Sequence, residues 1–199
     1  QCLSIAREEM RLSTDLLIGL SDVLLELHEN DDYKIFAEAA LERTPEDHVR
    51  RFSLAYKYSE DNEDDAALFH YRILSERNPE GGSWNNFGVE LAKLKMPALA
   101  VAAYREADKL GETLAMSNLA HKYIREGFLE EATEITNRAL LIENYNKAVG
   151  DAISSIKETL DKEIVEKNKF IEVHNKRRQF FIDYSAKYLE ENIKTLPED

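Results

Sequence analysis

The stretch WNNFGVELAKLKMPALAVAAYREA, residues 84–107, decides the fold. Trp84, Phe87, Gly88 and Leu91 are spaced as large and small residues of one packed helix, and Ala100, Tyr104 and Ala107 as those of a second. Between them Pro97 stands where the second helix would start, the first-turn position at which proline forfeits no hydrogen bond. A glycine inside a helix costs about 1 kcal/mol relative to alanine, so Gly88 makes sense where two helices must approach closely.

The same order recurs on both sides. Leu54-Ala55 with Tyr58 and Ala67, Phe87-Gly88 with Leu91 and Ala100, and Leu119-Ala120 with Tyr123 and Ala132 lie over one another. The steps are 100 − 67 = 33 and 132 − 100 = 32 residues, and Ala132 with Ala139 repeats the seven-residue step of Ala100 with Ala107. Self-similarity at such a period marks a stack of helix pairs. Pro45 and Pro79 fall where units end, and turns are expected near Asn62, Lys95 and Gly127.

On these residues the chain resembles the tetratricopeptide repeat, whose period is about 34 and whose signature runs Trp, Leu-Gly, Tyr, Ala, Phe, Pro. Residues 84–107 match best. Arg51 and Met116 replace the Trp, Leu74 replaces a small residue, and Glu112 and Asn144 replace the closing Pro. The run Ala107 to Ala120 is also similar to the related Sel-type repeat. Either resemblance implies an all-α, right-handed solenoid of antiparallel helix pairs.

Residues 1–46 are expected to hold N-terminal helices, Leu16 to Glu29 and Tyr33 to Arg43, forming a degenerate repeat. Residues 47–144 hold the three repeats. Residues 145–199 read as a capping helix running into a long one, with Ile153, Ile156, Leu160, Ile164, Ile171, Phe181, Tyr184 and Tyr188 roughly on one face. Lys167, His174 and Arg178 interrupt that stripe, which argues against a sustained coiled coil. The opening at Gln1 and the close at Leu196-Pro197-Glu198-Asp199 read as those of a piece of a longer protein, on whose C-terminal part Phe180 and Phe181 could pack.

Composition agrees with long solvated helices: 7 Gly and 4 Pro among 199 residues, against 33% charged. A net charge of −13 repels phosphate backbones and disfavours nucleic acid as partner. Leu16 to Leu27 is the most apolar stretch, but Ser21, Asp22 and Glu26 interrupt it and it is too short to span a membrane. The single Cys2 can form no internal disulfide, so a cytoplasmic setting is expected.

In tetratricopeptide arrays the first helix of each pair lines the concave groove. The resemblance places Phe52, Ser53 and Tyr56 in that groove from the first unit, Asn85, Asn86, Val89 and Lys93 from the second, and Ser117, Asn118, His121 and Arg125 from the third. Asn86 and Asn118 occupy equivalent places, and an exposed carboxamide offers donors and an acceptor to the backbone of an extended peptide. The two-Lys, one-Arg clamp by which part of the family holds chaperone tails is missing, because Phe52 and Ser117 stand where charge is needed.

Other constellations are weaker. Five histidines, at 28, 48, 70, 121 and 174, lack metal-ligand spacing, so neither a metal nor a cofactor is expected. Arg43 and His48 resemble the pair of small helical ribonucleases, but Pro45 puts them in a turn. The acidic run Glu60, Asp61, Glu63, Asp64 and Asp65 lacks the glycine of a calcium loop, and reads as a turn whose Asp64 and Asp65 favour a helix N-terminus. Lys167, Lys169, Lys176, Arg177 and Arg178 form a basic cluster, read first as a solvated helix face.

Three functions follow, in order. The first is a non-catalytic scaffold whose groove binds a protein or peptide. The second is the sensor part of a larger enzyme or effector, as in the peptide-sensing regulators of bacteria. The third is a self-assembly element that forms a homodimer through the C-terminal helix.

Overall fold

His28, Asn62, Lys95 and Gly127 adopt left-handed backbone, with φ of 60°, 61°, 61° and 83°. They recur at 62 − 28 = 34, 95 − 62 = 33 and 127 − 95 = 32 residues. Each reverses the chain between two helices of 12 to 14 residues. The computed structural model describes residues 13–193, so Cys2 and the closing Leu196 to Asp199 lie outside it. Among the described residues there are nine helices and no strand. They are α1 Thr14–Glu26, α2 Asn30–Arg43, α3 His48–Glu60, α4 Asp64–Arg77, α5 Gly81–Lys93, α6 Pro97–Lys109, α7 Thr113–Arg125, α8 Leu129–Leu140 and α9 Ala148–Ile193.

The first eight pack as four hairpins, α1 with α2, α3 with α4, α5 with α6 and α7 with α8, and each hairpin packs on the next. The first helices of the last two pairs, α5 and α7, also touch directly. Every reversal closes in the same way. The amide two residues into the turn donates to a carbonyl five residues back: Glu29 to Leu24, Glu63 to Tyr58, Met96 to Leu91, and Phe128 to Tyr123. This is the bond that satisfies a helix end when the residue between adopts left-handed backbone. Helix starts carry Ser13, Asp47 and Glu112 as side-chain caps, and Pro97 opens α6. Asp64 and Asp65 sit in the first turn of α4, as expected.

The described residues up to Ala152 form one compact unit. Its packing positions repeat with the turns. Ser21, Ala55, Gly88 and Ala120 are the small, buried crossing points of the first helices, and Ala67, Ala100 and Ala132 those of the later second helices. In the first hairpin the order is inverted: Tyr33 takes the small residue's place and Ala37 the place held later by Tyr71, Tyr104 and Thr136. Leu17, Arg51, Trp84 and Met116 occupy the tryptophan position of the pattern in turn. At the far end Val149 and Ala152 of α9 are fully buried, Val149 within the cluster of Leu91, Tyr104, Met116 and Leu119. Ser117 Oγ donates to the Ala148 carbonyl at 2.7 Å, and the Asn146 amide donates to Thr113 Oγ1 at 2.9 Å.

Each seam between hairpins also carries polar ties. Arg50 in α3 reaches Asp22 (2.8 Å) and Ser21 in α1. Lys34 in α2 holds Asp61 and Glu63 of the following turn, both at 2.5 Å. Ser59 in α3 donates to Glu90 in α5 (2.6 Å), while Lys93 joins Glu90 (3.1 Å) to Asp64 in α4 (3.2 Å). Arg138 in α8 pairs with Asp108 in α6 at 2.6 Å. The buried charges among them, on Lys34, Arg50 and Glu90, survive only when paired, so these ties fix which neighbour a hairpin accepts.

The second compact unit runs from Ile153 and is the remainder of α9. Among its described residues the large apolar side chains from Leu160 to Leu189 are all exposed. No described helix is long and apolar enough to cross a membrane.

Candidate partner-binding groove

Helix α3 buries Arg51, Leu54 and Ala55 and leaves a second apolar stripe in solvent: Val49, Phe52 and Tyr56, at i, i+3 and i+7. An amphipathic helix that is apolar on both faces has a surplus that its own fold does not use. The surplus here is shaped. Phe52 stands between two hollows of about 330 and 270 Å³. The first is lined by Leu25, Phe52, Ser53, Tyr56 and Lys57. The second is lined by His48, Val49, Phe52, Ser53, Leu74, Asn78, Glu80 and Ser83. The Phe52 ring is braced from behind, edge to face against the buried Tyr71 at 5.7 Å. Phe52, Ser53 and Tyr56 are therefore brought together, on helix α3, where the two hollows meet.

The second and third sets of expected residues behave differently. Asn85 and Ser117 are buried, and Ser117 is committed to the Ala148 carbonyl. Asn86 and Asn118 are only half-exposed, which corrects the expectation of wet carboxamides. The reason lies in Asn85: Asn118 Nδ2 donates to Asn85 Oδ1 at 2.9 Å, and Asn85 Nδ2 donates to Asn86 Oδ1 at 3.1 Å. The Asn86 side chain also lies beside the Tyr71 hydroxyl, where it opposes the rise of the phenol's pKa. Burial pushes the Tyr71 phenol well above its usual range, so it stays neutral. A chain of hydrogen bonds thus runs from Asn86, beside Tyr71, through Asn85 to Asn118.

Lys93 is spoken for as well. Burial lowers its ammonium pKa, but hydrogen bonds and charge from Glu90 and Asp64 outweigh burial and raise it, so it is a charged tie within the fold. Val89 is half-buried, and His121 and Arg125 are exposed, Arg125 against Glu126 at 3.1 Å. Leu25, Val49 and Ser83, which line the hollows, were not anticipated. The signal that could have found Val49 is its place in the i, i+3, i+7 stripe with Phe52 and Tyr56.

A second polar cluster lies between α2, α3 and α4. His70 is 1% exposed, with Nε2 2.9 Å from Glu38 Oε1 and Nδ1 3.3 Å from Arg51 Nη1. A guanidinium can only donate, so Nδ1 accepts and the proton on Nε2 is donated to Glu38. Tyr58 stacks on the His70 ring at 5.7 Å and also donates to Glu38 at 3.0 Å. Burial pushes the Glu38 carboxyl up, but the hydrogen bonds from His70 and Tyr58 outweigh it and leave the group below its usual value. With His70 enclosed, the cluster joins hairpins rather than facing a substrate. Arg43 ends α2 and His48 begins α3, one on each side of the Pro45 turn. Among the described residues no three His, Cys, Asp or Glu side chains are grouped to hold a metal ion.

No model of a known protein family matches the sequence, and no curated protein does. Solved structures match it in shape. YrrB, described as a TPR protein with an unusual peptide-binding site, superposes with a TM-score of 0.59 at 20% identity, over 82% of this chain and 84% of that one. A tetratricopeptide repeat protein from Parabacteroides merdae gives 0.64 at 14% identity, over 75% of this chain and 60% of that one. A structure of MamA gives 0.59 at 15% identity, over 78% and 94%. At 20% identity and below these likenesses are of fold alone, and the fold they show is the solenoid of helix pairs found in tetratricopeptide-repeat proteins.

Proposed function

We propose that the chain is a non-catalytic scaffold that binds a protein or peptide segment on the face formed by the first helices, seated at Phe52. The observation that carries this reading is the exposed stripe Val49, Phe52 and Tyr56 with a hollow on either side of the Phe52 ring. Such paired depressions suit two apolar side chains of one segment straddling a rigid aromatic, the arrangement typical of an interface anchor. YrrB, of the same fold, has a peptide-binding site, which favours a peptide over a small molecule as occupant. His121 and Arg125 at the α7 end add an exposed basic margin, and Asn86 and Asn118 serve as its floor rather than as free hooks.

The test is recovery of partners from a lysate by wild-type chain and by Phe52→Ala, read by quantitative mass spectrometry. Phe52 is part-exposed, so its truncation should leave folding intact, checked by circular dichroism. Loss of a specific partner with Phe52→Ala supports the reading. Equal recovery by both chains removes the groove at Phe52 from consideration.

A further inference from the structure

In α9 the residues Ile153, Leu160, Ile164, Ile171, Ile182 and Leu189 fall within an arc of roughly 40° at about 100° per residue. They are between 36% and 55% exposed, and nothing among the described residues covers them. A solvated helix does not keep such a stripe bare, so it needs an occupant. Leu160, Ile171 and Ile182 are 11 residues apart, as are Ile153 and Ile164. That period keeps a stripe on one side of a nearly straight helix with a slight right-handed supercoil.

Charge identifies the occupant. Residues 158–166 hold Glu158, Asp161, Glu163 and Glu166 against Lys162, a net of 1 − 4 = −3. Residues 176–184 hold Lys176, Arg177 and Arg178 against Asp183, a net of 3 − 1 = +2. Lys162, Lys169 and Lys176 pair within the helix with Glu158, Glu166 and Glu172, whereas Lys167, Arg177 and Arg178 meet no carboxylate among the described residues. We propose that α9 from Ile153 to Leu189 pairs with the same segment of a second copy, antiparallel, with Ile171 on the two-fold axis.

In that register residue i faces residue 342 − i, and segment 158–166 faces 176–184, acidic against basic. Leu160 meets Ile182, Ile153 meets Leu189, and Ile171 meets itself. The polar breaks in the stripe also find a place: Lys167 lies beside Asn175, and Arg178 lays its aliphatic stem along Ile164 with its guanidinium toward Glu163. A parallel pairing would set Lys167 and Arg178 against their own copies. The antiparallel overlap is 37 residues, about 55 Å of helix. A C2 contact of this kind is self-complementary by construction.

The test uses the full chain carrying Cys2→Ser. Sedimentation over a concentration series should show a dimer, and Ile171→Glu, at an exposed site in the single chain, should return it to monomer with helix content unchanged by circular dichroism. Under mild oxidation Leu160→Cys mixed with Ile182→Cys should cross-link, and neither variant alone should. The double change Arg177→Glu, Arg178→Glu should weaken the dimer by about tenfold or more, and mixing it with a chain carrying Glu163→Lys and Glu166→Lys should restore pairing. A chain that stays monomeric at every concentration overturns the proposal. Cross-linking of Leu160→Cys to itself, the signature of parallel pairing, overturns it too.

Discussion

Gly88 and Tyr104 are in contact so closely that a Cβ added to the glycine would lie 2.6 Å from the ring Cε1. This places the aromatic ring of α6 directly against the bare backbone of α5, at the centre of the array. The nearest atoms are the body of a buried ring rather than the tip of a flexible chain, so they cannot move aside cheaply. Gly88→Leu should destabilise the first unit by roughly 1–3 kcal/mol through overpacking. A melting curve checks it, with a fall of roughly 2–4 °C per kcal/mol for a unit of this size. Unchanged melting would mean that α5 and α6 cross elsewhere.

The pair of part-exposed Glu38 and buried His70 gives the protein a pH dependence of known sign. Glu38 is held below the usual 4.5 by the donors around it, which outweigh its partial desolvation. Its folded value thus lies under its unfolded one, so ionised Glu38 stabilises the fold above about pH 4.5 and that contribution disappears as pH falls through the lowered value. Glu38→Gln should be less stable than wild type at pH 7, and the gap should narrow near pH 3. Urea unfolding of both chains at the two pH values measures it. A gap that stays constant would separate the charge from the effect.

Asn118 and Asn85 set a different expectation from one based on free groove hooks. Removing the Asn118 carboxamide strips a donor from the buried Asn85 oxygen, and a buried polar atom left without its partner costs about 1–3 kcal/mol. Asn118→Ala should therefore lower the urea midpoint without touching the Phe52 ring, whereas Phe52→Ala loses only its packing on Tyr71 and leaves the Asn85 oxygen satisfied. An Asn118→Ala chain as stable as wild type would return the asparagines to ligand binding alone.

The repeat was legible because it rests on side-chain size. Ala55, Gly88 and Ala120 must be small where helices cross, and that demand prints a period on the sequence whatever the remaining residues are. The turns were legible at Asn62, Lys95 and Gly127 for a related reason: each interrupts the apolar pattern, and two of the three are residues that tolerate left-handed backbone. The state of the asparagines was not legible, because it depends on which neighbouring helix supplies a hydrogen bond, and Asn85 gives no sign in one dimension of sitting between Asn86 and Asn118. The role of Arg51 was equally hidden. Read as a missing tryptophan, it is a buried guanidinium that donates to the Pro45 carbonyl at 3.0 Å and fixes the tautomer of His70.

The seam ties described above make the hairpins non-interchangeable. Suppose the α3–α4 pair were duplicated in tandem, as repeat genes readily do. The second copy of Arg50 would then face Tyr56 at the place where the original finds Asp22, since 22 + 34 = 56. Ser59 of the first copy would face Lys57 where it now meets Glu90, since 90 − 33 = 57. The enclosed guanidinium would lose the Asp22 carboxylate and keep only Asp47 of its own helix, and an ammonium group would replace a carboxylate. The order of the four pairs is thus written into their charges as a sequence of keyed joints, and lengthening this array would require cutting a new key at each added joint.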